Sequence, residues 1–118
     1  MADELAFFES DEVPRPKDEV QILRLAARPY PDGRRVRLDV SLTPFLERPN
    51  LEFEVFEPSG ETVGAMSVIE SMDHEFELTL HLRSPQPRGK HTLRLRLFYL
   101  DGPPAVTAET TFDVTPQP

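Results

Sequence analysis

Three histidines, several paired carboxylates and a set of serines are the side chains here that could bind a metal, shuttle a proton or attack a carbonyl. A zinc site needs three or four ligands converging on one point. His74 falls in a turn, His81 on the outer face of a strand and His91 at a strand start, and no spacing unites them. Glu75 and Glu77 are the right types for general acid–base work. On a strand, a spacing of two sets both on one solvated face. Glu70, Asp73 and Glu75 lack the dense, regular oxygen ligands of a calcium loop. Ser41, Ser59, Ser67, Ser71 and Ser84 have no G-x-S-x-G context. The five glycines mostly serve turns, and none builds a phosphate-cradling loop. There is no cysteine, which removes disulfides, thiolate nucleophiles and thiolate zinc sites. Tyr30 is the one loop aromatic suited to stack on a sugar, and there is no tryptophan. The residues therefore point to no catalytic group, no metal site and no cofactor.

The elements that must position these side chains are seven short runs of alternating apolar and polar residues. The first spans about Val20–Ala27. The second is the cleanest, with Val36, Leu38, Val40 and Leu42 on one face and Arg35, Arg37, Asp39 and Ser41 on the other. Leu51, Phe53 and Val55 mark the inner face of the third. The fourth, Glu61–Glu70, is apolar on both faces. Its parity gives Val63, Ala65 and Ile69 to one side and Met66 and Val68 to the other. Phe76, Leu78, Leu80 and Leu82 line the fifth, Leu93, Leu95, Leu97 and Tyr99 the sixth, and Val106 to Val114 in steps of two the seventh. Pro-Asp-Gly, Pro-Ser-Gly and Asp-Gly-Pro clusters separate them. Between the second and third strands, Phe45 and Leu46 are expected to plug one end of the core. With 13 prolines and no sustained helical period, the pattern specifies an all-β chain. It predicts a seven-stranded sandwich of two antiparallel sheets over residues 20–115. The mid-strand core is expected at Leu38, Val40, Phe53, Leu78, Leu80, Leu95, Leu97 and Phe112.

Outward charges choose the strand neighbours. Arg35 and Arg37 match Glu75 and Glu77 in sign, and Arg94 and Arg96 match Glu52 and Glu54 on one side and Glu109 and Asp113 on the other. Opposite charges facing each other across strands contribute about 0.2–1 kcal/mol per pair. The signs agree if strand two pairs with five, and six lies between three and seven.

Those are the pairings of an immunoglobulin-type sandwich. Over about residues 20–114 the chain resembles the immunoglobulin-like and fibronectin type III-like superfamily. Leu82-x-x-Pro85 followed by Gly89-Lys90-His91-Thr92-Leu93 looks like that group's turn into its sixth strand. His91 stands where the group often has a corner-fastening tyrosine. The core tryptophan and cysteine pair of antibody domains are absent, and the fold implies no activity.

Residues 1–19 read as an acidic, flexible leader. They hold seven acids against Arg15 and Lys17, more than half of the net charge of −8. Within it, Leu5, Phe7 and Phe8 form an apolar plug that could dock on a groove of this chain or of a partner. Residues 116–118 are a short tail. The negative balance argues against nucleic acid as a partner. No apolar run reaches the roughly 20 residues of a membrane span. The N-terminus lacks the basic and apolar regions of a signal peptide. A cytoplasmic protein without membrane contact is expected.

The surface reading centres on Phe56 and Phe98, which point outward by parity on strands three and six. Met66 and Val68 are assigned to the same outer side of strand four. A contiguous apolar patch there would mark an interface, with another protein or with a second copy. The expectation is a non-catalytic interaction or structural module. The alternative is a small ligand-binding protein or hydrolase with a site in the loops around Tyr30, Phe45 or His74. An enzyme would need a concave site where polar groups converge.

Overall fold

Alternation of inward apolar and outward polar side chains, broken by proline and glycine, gives seven strands in the computed structural model, which describes residues 13–115. They are β1 (Ile22–Pro29), β2 (Arg35–Leu42), β3 (Asn50–Phe56), β4 (Thr62–Val68), β5 (Glu75–His81), β6 (Gly89–Phe98) and β7 (Val106–Val114). One sheet has the order β1-β2-β5 and the other β4-β3-β6-β7. All pairings are antiparallel. The chain is an all-β sandwich, with β2 beside β5 and β6 between β3 and β7.

On the larger sheet the charge argument for that order holds in detail between β3 and β6 and only in part between β6 and β7, where Asp113 faces Lys90 and Arg96 faces Thr107. Glu52 lies opposite Arg96 and Glu54 opposite Arg94, and each pair closes at 2.8 Å. Arg94 also faces Glu109 on β7. On the smaller sheet Arg37 reaches Glu77 at 2.6 Å, diagonally, because Thr79 is its direct partner. Arg35 departs from expectation. Its Nε donates to Asp32 at 2.7 Å, while Glu75 stands opposite Ser41. The β1–β2 turn delivers Asp32 three residues away, nearer than any carboxylate on β5.

Between the sheets lies one apolar core. Leu38, Val40, Phe53, Leu80, Leu95, Leu97 and Phe112 are buried, as parity requires. Leu78 is half-buried, since β5 is an edge strand. His91 is fully buried. Its Nδ1 lies 2.9 Å from the Gly89 carbonyl oxygen, and its ring stacks on Phe112, its β7 neighbour, at 5.3 Å. A histidine therefore fastens this corner from inside.

A bulge in β4 changes the reading of that strand. Phe56 faces Thr62 but Val55 faces Gly64, so Val63 is an extra residue. Beyond it, Met66 faces Phe53 and Val68 faces Leu51. Directly paired residues point to the same side of a sheet. Met66 and Val68 thus lie on the inner face and pack against the core, which corrects their outward assignment. Gly64 is required where it stands: a side chain there would collide with the buried Leu80.

The chain enters the sandwich beside the β2–β3 loop. The Arg15 N–H donates to the Pro44 carbonyl and the Leu46 N–H to the Arg15 carbonyl. One 3₁₀ turn, Lys17–Glu19, follows, and Val20 is buried. Phe45 packs on the core, whereas Leu46 points to solvent. Only Phe45 is a plug. Leu5, Phe7 and Phe8 lie outside the described residues.

Candidate functional site

The three histidines are not brought together. His74 lies in the β4–β5 loop, His81 ends β5 at the opposite end of the sandwich, and His91 is in the core. Among the described residues, no three His, Asp or Glu side chains converge as a metal site would need. Tyr30 is engaged on both sides: its hydroxyl is 3.0 Å from Thr79 Oγ1, and the Arg35 guanidinium lies 4.3 Å above its ring. That face is not open to a sugar.

Phe56 and Phe98 do lie on the outer face of the larger sheet, but at opposite ends. Phe56 is beside Thr92, and Phe98 is beside Asn50. The two ion pairs Glu54–Arg94 and Glu52–Arg96 occupy the rows between. Arg94 lies 4.8 Å over the Phe56 ring and Arg96 4.3 Å over the Phe98 ring. A guanidinium on an aromatic face is a favourable contact, and here it covers apolar surface. The four expected interface residues therefore do not make one patch.

Another apolar surface forms at the end of the sandwich where the β2–β3, β4–β5 and β6–β7 loops meet. Of the six large hydrophobics exposed among the described residues, four are on these loops. Leu46 is 69% exposed, Ile69 79%, Met72 75% and Leu100 85%. The opposite end has none of the six. Phe98, Ile69, Leu100 and Val68 wall an open groove of about 250 Å³, with Asn50, Glu52 and Ser67 supplying polar atoms.

Local chemistry holds these side chains out. Asn50 Oδ1 accepts the Glu70 N–H at 3.0 Å, and the Pro49 carbonyl accepts the Ser71 N–H at 2.8 Å. Glu70 adopts a left-handed backbone, φ 52°, an uncommon state for a residue with a side chain. This turn presents Ile69 to solvent. The Tyr99 hydroxyl donates to the Glu47 carbonyl at 2.9 Å, fastening the β6–β7 loop to the β2–β3 loop. Burial, with the Glu47 carboxylate nearby, pushes the Tyr99 phenol up to about 12. Lys17 approaches Glu47 at 3.9 Å, so the entering chain is tied to the same loop. The end is acidic, with Asp18, Glu19, Glu47, Glu70, Asp73 and Asp101 outnumbering Arg15, Lys17 and Arg48.

Sequence parity set Ile69 with Ala65 on the inward side, opposite Met66 and Val68. The bulge at Val63 turns that side outward, so the sequence carried no correct signal for Ile69. Leu100, one residue beyond Tyr99, carried none.

No family model and no curated protein matches the chain. Solved structures resemble it in fold. A glycosyl hydrolase family 2 member from Bacteroides cellulosilyticus aligns over 80% of this chain and 15% of its own, at TM-score 0.59 and 12% identity. For β-glucuronidase from Parabacteroides merdae the values are 80% and 14%, with TM-score 0.56 and 14% identity. β-Glucuronidase 3 from Bacteroides uniformis gives 80% and 12%, with TM-score 0.54 and 17% identity. At such identities the likeness is one of fold. The chain spans about a seventh of these enzymes' length, so it matches a single β-sandwich module within them.

Proposed function

We propose that the chain is a non-catalytic interaction module that binds a protein partner through the apolar, acidic loop end. The observation that carries this is the clustering of Leu46, Ile69, Met72 and Leu100 at one end, where water would otherwise cover them. Burial stabilises by about 25 cal/mol per Å² of apolar surface, so each such side chain contributes on the order of 1–3 kcal/mol when covered. The surrounding acids favour a partner segment that carries lysine or arginine among its own apolar residues. The groove beside Phe98 is smaller and more open than a typical small-molecule pocket of about 300–1,000 Å³.

A non-catalytic role is supported by the state of the acids. Glu52, Glu54 and Glu77 are each held by an arginine across the sheet. The strand pairings support grouping the chain with immunoglobulin-like sandwiches, and the likeness to part of several glycosidases supports a module without extending their activity to it. The cysteine-free composition supports a reducing compartment such as the cytoplasm.

The test is site-specific photo-crosslinking in the native host, with the reactive residue at Leu100 or Met72 and, as control, at Ser59 at the opposite end. Discrete protein adducts from Leu100 and Met72, absent from Ser59 and lost on Ile69→Asp, are expected. Equal labelling at both ends would overturn the proposal.

A further inference from the structure

Four strands lie at sheet edges: β1, β5, β4 and β7. Edge strands expose unpaired backbone groups, and charged residues or proline normally keep other chains off them. β1 carries Arg24, Arg28 and Pro29, β5 carries Glu75 and Glu77, and β7 carries Glu109 and Asp113. β4, Thr-Val-Gly-Ala-Met-Ser-Val, carries no charge and no proline. It is the one unguarded edge among the described residues.

Its hydrogen-bonding pattern is legible from the ladder. The Glu57 N–H donates to the Glu61 carbonyl, and alternation past the bulge makes Phe53–Met66 and Leu51–Val68 the pairs that exchange hydrogen bonds. The N–H and C=O groups of Ala65 and Ser67 therefore point away from β3, and among the described residues no other backbone group meets them. Toward the strand's start the edge is covered, because the Val63 carbonyl accepts the Arg83 N–H at 2.7 Å. Four free backbone groups remain, flanked by exposed Ala65 and Ser67 and by half-buried Met66 and Val68 on the inner face.

We infer that β4 pairs with β4 of a second copy, antiparallel about a two-fold axis, joining the two larger sheets into one. The register centred on Met66 uses all four of these groups and calls on no backbone group outside Ala65 and Ser67. Met66 faces Met66 of the other copy, and Ala65 exchanges both hydrogen bonds with Ser67 of the other copy, twice over. Centring on Ala65 instead would call on the Val63 carbonyl, which Arg83 already occupies. The chosen register also sets charges well. Glu61 and Glu70 never face each other, and Arg83, bonded at Val63, comes beside Glu70 of the other copy. Among the described residues, neither Arg83 nor Glu70 has an ion pair within its own chain. Met66 and Val68, half-buried in one copy, gain cover from the partner's inner face. This pairing is argued from the β4 edge and not from the partner proposed for the loop end, although Ser67 and Val68 also line the groove there.

The test is sedimentation equilibrium of the full chain over a wide concentration range, together with oxidative crosslinking. Because the protein has no cysteine, Met66→Cys introduces a single thiol. The unaltered chain is expected to dimerise, and Met66→Cys to form a disulfide-linked dimer while Ala65→Cys does not. The pair Ala65→Lys and Ser67→Lys, both on the exposed face, should weaken self-association by at least about tenfold and leave the circular dichroism spectrum unchanged. Leu5→Ser, Phe7→Ser and Phe8→Ser together should leave it intact. A monomer at every concentration overturns the inference. So does a dimer that survives the double lysine variant, or one lost with the three leader substitutions, which would assign the contact to the leader.

Discussion

Tyr99 fastens the two loops on which Leu46 and Leu100 stand, and it gives the molecule an alkaline limit. An ordinary tyrosine loses its proton near pH 10. Burial, and then the Glu47 carboxylate, raise this one to about 12. Between those values the folded chain keeps a proton that the unfolded chain has released. The stabilisation is therefore complete below about pH 10 and disappears as pH rises through about 12. Denaturant unfolding at about pH 9 and about pH 11.5 should show a larger loss for the unaltered chain than for Tyr99→Phe. An equal loss in both would mean that the loop contact does not depend on the phenol. Asp32 is shifted the other way, held low by the Arg34 N–H and then by the Arg35 side chain. Its contribution is lost as pH falls. Neither emerged from the sequence: the sign pattern matched Arg35, which holds Asp32, to Glu75 and Glu77, and the partner of Tyr99 is a backbone oxygen 52 residues away.

Among the elements, β4 was the hardest to read. Its both-sided apolarity gave no parity, and the bulge at Val63 reversed the one that was chosen. A one-residue slip moves every side chain of a strand to the other face. That is why Met66 and Val68 belong to the core margin and not to an outer patch. The bulge also brings Gly64 against β5. Gly64→Ala should cost about 1–3 kcal/mol, the usual penalty for overpacking, because the new methyl group displaces the buried Leu80 side chain and crowds the His81 carbonyl at 3.3 Å. Thermal or denaturant unfolding checks this, and an unchanged midpoint would show that the two edges separate freely. The outer-face ion pairs matter less. Arg94–Glu54 and Arg96–Glu52 are half exposed, and such pairs are worth about 0–1 kcal/mol each. Their value is in register: they match the strands in sign before any contact is made.

At the scale of the molecule, both sheets share one core, so neither can persist alone. Phe53 belongs to the larger sheet and Leu38 to the smaller, and both are fully buried. Phe53→Ala should cost about 3–5 kcal/mol and Leu38→Ala about 2–5 kcal/mol. Each is a large share of the 5–15 kcal/mol typical of a domain. Both variants should unfold in a single transition, followed together by fluorescence and circular dichroism. Two separated transitions would contradict a common core. The acidic loop end collects the exposed apolar side chains, while at the other end Arg34, Arg83, Arg88 and Lys90 stand among Asp32, Glu57, Glu61 and Asp113.

Strand number, strand order and the mid-strand core were determined by the sequence alone. Alternation with a period of two fixes which face is buried, and the signs of Arg94, Arg96, Glu52, Glu54 and Glu77 admit few neighbours. These are local patterns, or pairings that charge makes selective. The tertiary structure decided what lies at the ends and edges. Ile69 and Leu100 share a groove, with Met72 and Leu46 exposed at the same end, only because three loops distant in sequence meet there. Phe56 and Phe98 fail to form one surface because the ladder sets them at opposite ends of β3 and β6. Loops and edges have no period to read, and their side chains acquire meaning from neighbours that only the folded chain supplies.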